Sequence, residues 1–531
     1  MSLHSFNLSK PFQPCPAPSN QRLPFAIDEM DFSGWLDTLT YTDDMEKCQR
    51  IFQVLQTLNN AYPPERKLIP GRMRLFFLEK LGSVLTSTTA MLNLYPNIPD
   101  SPPEATDNEM AKSEISVWSS LELANAYSLL SQEDSFKDSE YYSIQEKTLI
   151  LSKGIQAMGK GLLYISQTYT KPYVFFWHKC FQFYRLAKLY RLTDSEFNPN
   201  AQTIDNAFKR VLVFALSNTN QFSPQEMRTI YDLLGHYSPY TNLLRLVPKK
   251  KFNGIPSIHL KGNGPPIVSA DNSDIHDPDQ LYIATVAVAS KILEATYDKR
   301  AHHIPTDRLM LLRLAKTLTL NEQRKDPRET AQGNHLGIMG FDNIVEHLHS
   351  KETVTAIENT TSIADPQAFQ VIEFTDPSEI WQANQQGNRE VNMRLVDKST
   401  KGYGLLWTDN HIKPKVGSII GILHKTVTIG LIRWLAQSKE TGMFMGVELL
   451  GTNATTVKVS NLGDSDDGVY AIYLPGVEAT KQPASLVFMN KDFKPNEFIF
   501  LNKTLKNVRY RQTKQLHLTS SINHVEVVRS H

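Results

Sequence analysis

Two short clusters in the second half of the chain bring together residue types that could do chemistry. Arg324-Lys325-Asp326-Pro327-Arg328 sets two guanidinium groups four positions apart on a polar stretch just ahead of a strand-like run. Asp397-Lys398-Ser399-Thr400-Lys401-Gly402 sets a carboxylate, a hydroxyl and a glycine between two strand-like runs. A guanidinium is planar, so it can grip a phosphate through two N–H groups and also stack on a flat ring. Lysine would match the charge and lose both the fork and the stack. Two arginines on an irregular loop can converge on one ligand from different sides. Asp397 and Ser399 are two apart on a strand and so share a face, where a carboxylate can accept N–H donors and a hydroxyl can reach a phosphate or a base. Gly402 is expected to allow positive φ in the turn and close ligand approach. Taken alone, each motif is also what a solvated turn looks like.

Other chemistry-bearing groups are weaker. The chain has no GxxxxGK[ST], no GxSxG and no HExxH, and no carboxylate stands beside a visible base–nucleophile pair, so it is read as not an enzyme. His302-His303 near Asp307, and His347 and His349 near Glu346, lack metal-ligand spacing, because adjacent histidines point to different faces. Lys249-Lys250-Lys251 could meet phosphate or lipid, although three lysines more often make a solvated turn. Tyr173, Phe175, Phe176, Trp177, Phe181, Phe183 and Tyr184 could line a groove, but at helical spacing they read first as core, with His178 a satisfied or surface histidine.

These groups must be positioned by several domains, since 531 residues are enough for two to four cores. With 41% hydrophobic and 21% charged residues the chain is globular, and 56 basic against 55 acidic residues argue against DNA or RNA as the partner. Cys15, Cys48 and Cys180 are too few and scattered for a disulfide framework or a zinc site. The first residues show no signal peptide and no run is long enough to span a membrane, so a cytoplasmic location is expected. The prolines of residues 1–30 predict an extended tail. Residues 31–247 carry helical periodicity: Met45, Cys48, Ile51, Phe52, Leu55 and Leu58 share a face, and Ser223-Pro224 followed by Glu226 is a helix start. Residues 248–318 form a linker with helices expected at Asp279–Tyr297 and Thr306–Leu318. From 319 the pattern turns to β: a barrel over 319–460 with an insertion at about 341–388, then additional strands over 461–531. The fold class is multidomain: an all-α N-terminal half of helical hairpins or solenoid-like pairs, and an all-β C-terminal half.

The RxxxR and DxSxxG motifs together resemble the two signatures of PilZ domains, the small β-barrels that bind cyclic di-GMP. Gly430-Leu431-Ile432-Arg433-Trp434 followed by Gly446-Val447-Glu448-Leu449-Leu450 is similar to the paired late strands of that family. Arg328 and Asp397 are 69 positions apart, wider than in ordinary PilZ domains, and the insertion between strands near Gly333–Met339 and Val391–Val396 accounts for the gap. Loop closure grows costly only slowly with length, so a barrel tolerates it. Trp35-Leu36-Asp37-Thr38-Leu39, Leu55-Gln56-Thr57-Leu58-Asn59 and Asp397 to Tyr403 look like a long proteobacterial group that ends in a degenerate PilZ domain. The resemblance implies a bacterial signalling protein that binds cyclic di-GMP through Arg324, Arg328, Asp397, Ser399 and Gly402. It implies no other cofactor, no metal, and an unknown protein partner met through the helical half. The alternative is an interaction scaffold whose PilZ-like barrel no longer binds nucleotide.

Overall fold

A computed structural model describes residues 22–60, 69–92, 107–138, 140–198, 201–245, 255–268, 277–297, 305–319, 328–350, 390–408, 414–437, 442–461, 468–478, 482–489, 497–500, 508–519 and 521–530. The chain divides into two compact units, one built on residues up to 323 and the other on residues from 324 onward. Most of the predicted tail, the lysine triplet 249–251 and the pair His302-His303 lie outside the described residues.

The first unit is helical, with helices from Glu29–Thr38 to Pro305–Thr319. Local signals set their starts. Ser143 and Glu146 form a reciprocal capping box ahead of Ile144–Gln167, and Ser223 and Glu226 do the same ahead of Pro224–Tyr237, where Pro224 occupies a first-turn position. One core cluster runs from Phe32 to Leu318 and includes Cys48, Ile51, Leu55, Trp177, Phe181 and Phe183. The aromatic cluster is therefore mostly core, with Phe175 exposed. No described helix is long and apolar enough to cross a membrane.

One predicted helix is corrected. Asp279–Tyr297 divides into a strand, Gln280–Ala284, and a helix, Val286–Tyr297. Leu281 and Ile283 are buried between partly exposed neighbours, a period of two that fits a strand. This strand is β4 of a small antiparallel sheet with β1 (Asn242–Leu244), β2 (Pro256–His259) and β3 (Ile267–Val268), in the order β1-β4-β2-β3. β2 and β3 lie in the segment read from the sequence as a linker.

The second unit holds two closed barrels. The first comprises β5 (Glu329–Met339), β6 (Glu390–Ser399), β7 (Gly402–Trp407), β8 (Ile419–Leu423), β9 (Val427–Gln437) and β10 (Met443–Gly451). The second comprises β11 (Thr455–Asn461), β12 (Val469–Leu474), β13 (Ser485–Met489), β14 (Glu497–Phe500), β15 (Val508–Leu518) and β16 (Ile522–Arg529). Around each ring the strands run first, second, third, sixth, fifth, fourth, and every pairing is antiparallel. The additional C-terminal strands thus close into a barrel with the topology of the first. A division at 460 would cut β11, which belongs whole to the second barrel.

Of the expected insertion, residues 341–350 are helical and the rest lies outside the described residues. Gly340, at φ +91, turns the chain from β5 into this helix. Phe341, Ile344 and Leu348 share a core cluster with Ile419 and Leu431 of the first barrel and with Ile472, Val487 and Ile522 of the second. Thr519 donates to the Gly417 carbonyl at 2.8 Å, and Gln482 donates to the Leu450 carbonyl. Apolar burial and these bonds join the barrels across one interface.

Candidate functional site

The candidate site begins where β5 and β6 pair. Thr330 faces Asp397, and the register shifts between Thr330 and Gly333 on one strand and between Leu395 and Asp397 on the other. Such bulges re-aim side chains at strand ends. Here they bring Arg328, immediately ahead of β5, to Asp397, 69 residues away: Nη1 donates to Oδ1 at 2.6 Å and to Oδ2 at 2.8 Å. The pair is partly open to solvent, with side chains 23% and 29% exposed. The Nε and Nη2 hydrogens of Arg328 have no partner among the described residues, so three N–H donors of the fork stay available.

Ser399 and Gly402 close the β6–β7 turn, where the Ser399 hydroxyl donates to the Gly402 carbonyl at 3.3 Å. The expectation of positive φ at Gly402 is corrected, since among the described residues the positive-φ glycines are Gly340, Gly417 and Gly442. Its small size matters for another reason: a Cβ there would stand 2.6 Å from the Val447 carbonyl oxygen of β10. Arg324 lies outside the described residues.

Register exposes a feature that motif reading missed. Asp397 pairs with Gly404, Gly404 with Gly446, and Gly446 with Trp434, a row across β6, β7, β10 and β9. A Cβ on Gly404 would collide with the Asp397 carboxylate, and one on Gly446 would collide with the Trp434 indole. Two glycines therefore make room on one face for an acid at one end and a flat aromatic at the other. Both Gly446 and Trp434 stood in the strands that marked the fold, but nothing in their spacing placed them in line with Asp397.

A charged network borders the turn on β10. Glu448 pairs with Gly402 in register; Arg433 Nε lies 3.1 Å from its Oε2, and His517 Nε2 of the second barrel 3.5 Å from its Oε1. Burial pushes the Glu448 carboxyl up, but the His517 hydrogen bond and the charges of Arg433, His517 and His524 outweigh it and hold the carboxyl low. Behind it, His517 Nδ1 lies 3.0 Å from His524 Nδ1, with the rings stacked. His524 is 3% exposed, and burial, then the neighbouring His517, push its imidazole down to about 3. Elsewhere His347 sits 3.7 Å from Glu390 and His349 rests against Tyr470; among the described residues no group of three or more His, Cys, Asp or Glu side chains is arranged so that it could hold a metal ion.

The site can thus offer a phosphate a cationic fork and offer a flat base a carboxylate and an indole. Residues 31–249 match the N-terminal domain of the cyclic-di-GMP receptor FimW, and residues 312–456 match the middle PilZ domain of the same receptor. No curated protein and no solved structure matches the chain. The two matches fall in receptor order and together cover more than half of the sequence, the second enclosing the first barrel and the Arg328–Asp397 pair, and on this basis the chain belongs to the FimW cyclic-di-GMP receptor family.

Proposed function

We propose that this chain is itself a receptor for cyclic di-GMP, which it holds on the first barrel with Arg324, Arg328, Asp397, Ser399 and Gly402. The observation that carries the reading is the meeting of Arg328 and Asp397 across the insertion, with three N–H donors of the guanidinium left over. Arg328 supplies those donors to phosphate and its plane to a guanine. Asp397 accepts from the N1–H and exocyclic amine of guanine, and Ser399 offers its hydroxyl. Without ligand, Arg328 and Asp397 satisfy each other, which also suits the second reading, a docking barrel that binds no nucleotide. Magnitudes favour the receptor: a partly exposed ion pair is worth at most about 1 kcal/mol, while each charge-assisted bond to ligand contributes roughly 1.5–3 kcal/mol.

The output would pass to a protein partner through the helical unit. Helix Pro305–Thr319 belongs to that unit, and only residues 320–327 separate it along the chain from Arg328. A ligand that fixes the arginine segment in one arrangement shifts the population of whatever that segment tethers. Equilibrium binding of fluorescent cyclic di-GMP, competed by unlabelled cyclic di-GMP and by cyclic di-AMP, tests the base-reading role. Cyclic di-GMP should compete and cyclic di-AMP should not, because adenine presents no N1–H to Asp397; equal competition would contradict it.

A further inference from the structure

The helical unit contains a cavity of about 520 Å³ between the end of helix Val174–Leu189, the start of helix Ile204–Leu216 and β1. Lys188, Arg191, Lys209 and Arg245 line it, together with two carboxylates, Asp194 and Asp205. Asp205 is engaged: it accepts the Tyr184 hydroxyl on Oδ1 and pairs with Lys209 on Oδ2, both at 2.7 Å. Lys188, Arg191 and Arg245 have neither an ion pair nor a side-chain hydrogen bond among the described residues. Among the described residues, three cations without an ion-pair partner therefore line one concavity, facing Asp194 and, on the Lys188 side, the charge of Asp279, which is itself paired with Lys261.

Lys188 and Arg245 are close enough to feel each other. Burial, then the charge of Arg245, lower the Lys188 ammonium. Arg191 shows a further feature. Its φ is +57, its N–H bonds the Lys188 carbonyl, and Leu192 N–H bonds the Ala187 carbonyl. This is a helix-ending motif whose left-handed position normally holds glycine. A cation at a helix C-terminus is favourable, which accounts for Lys188 and Arg191 but not for Arg245, which follows β1. The C-terminal end of one helix and the N-terminal end of the next both reach the cavity, so their dipoles offset and the side-chain charges set the field.

We propose that this cavity is a second ligand site, one that takes a small phosphorylated molecule gripped by Arg191 and Arg245 with Lys188 beneath. The volume falls in the range of ordinary ligand pockets. Two arginine forks beside a lysine suit adjacent phosphates. This reading is independent of the barrel site, which lies in the other unit.

The test is calorimetric titration of inorganic pyrophosphate into the full chain at low salt, for wild type, Arg328→Ala and Arg191→Ala/Arg245→Ala. Saturable binding is expected in wild type and in Arg328→Ala, with a loss of at least about 100-fold in the double variant, at roughly tenfold or more per arginine. GDP binding tighter than pyrophosphate would assign a nucleotide, and equal affinity would assign the phosphates alone. No saturable binding to wild type overturns the proposal, as does binding that survives the double variant or that disappears in Arg328→Ala. Should the double variant melt early, Arg245→Gln alone carries the test, since that side chain is exposed and has no side-chain partner among the described residues.

Discussion

Arg328→Ala should separate ligand binding from folding, and the structure sets the size of both effects. In the folded chain Arg328 makes two bonds from one nitrogen to Asp397, at 2.6 and 2.8 Å, in a pair partly open to solvent. Removing an ion pair of that exposure costs about 1 kcal/mol or less. The ligand loses more, because charge-assisted bonds from the guanidinium to phosphate contribute roughly 1.5–3 kcal/mol, or about 10- to 100-fold in affinity. Calorimetry with cyclic di-GMP reads the second number, and urea unfolding at constant m-value reads the first. Arg328→Lys should recover only part of the affinity, since the fork and the stacking plane are gone. Unchanged affinity would refute the ligand role, and a barrel that fails to fold would show that Arg328 serves structure instead.

Three further outcomes follow from the same geometry. Gly404→Ala places a methyl group where the Asp397 carboxylate lies, so cyclic di-GMP affinity should fall and stability should drop by about 1–3 kcal/mol, measured by calorimetry and urea unfolding. Ile522→Ala opens a cavity in the core shared by both barrels and should cost about 2–5 kcal/mol; hydrogen exchange should then speed up in β8 and β9 of the first barrel as well as in the second. His524 faces His517, Glu448 and, through Glu448, Arg433. Its folded imidazole titrates at about 3, below the ordinary 6.5 of an unfolded chain, so the unfolded state takes up a proton first as pH falls. Its contribution is therefore whole above pH 6.5 and declines by about 1.4 kcal/mol per unit as pH drops towards 3. His524→Asn should flatten that part of the stability profile relative to wild type, and parallel profiles would count against the buried neutral histidine.

Legibility followed the range of the interactions. Ser223 and Glu226 are three residues apart and form their cap wherever the helix lies, so that start was readable. The late strands β9 and β10, which hold Gly430–Trp434 and Gly446–Leu450, were likewise readable, with Gly442 marking the turn between them. Asp279–Tyr297 misled because an apolar run of that length suits either periodicity, and Leu281 and Ile283 became strand residues through pairing with β1 and β2. The meeting of Arg328 with Asp397 was readable only as a pair of motifs. The line from Asp397 through Gly404 and Gly446 to Trp434 was not, because it depends on bulges between Leu395 and Asp397 and between Gly446 and Val447. Closure of the second barrel was hidden for a related reason: most of its strands pair with sequence neighbours, but the ring closes only through β11 with β14 and β13 with β16, which no local pattern records.

The central claim is that the first barrel of this chain binds cyclic di-GMP at the Arg328–Asp397 site. Titration calorimetry of cyclic di-GMP into the full chain tests it most directly. The account predicts saturable binding, micromolar or tighter, that Arg328→Ala weakens by about 10- to 100-fold. A folded wild-type chain that gives no binding isotherm would contradict it and leave the barrel as a docking module.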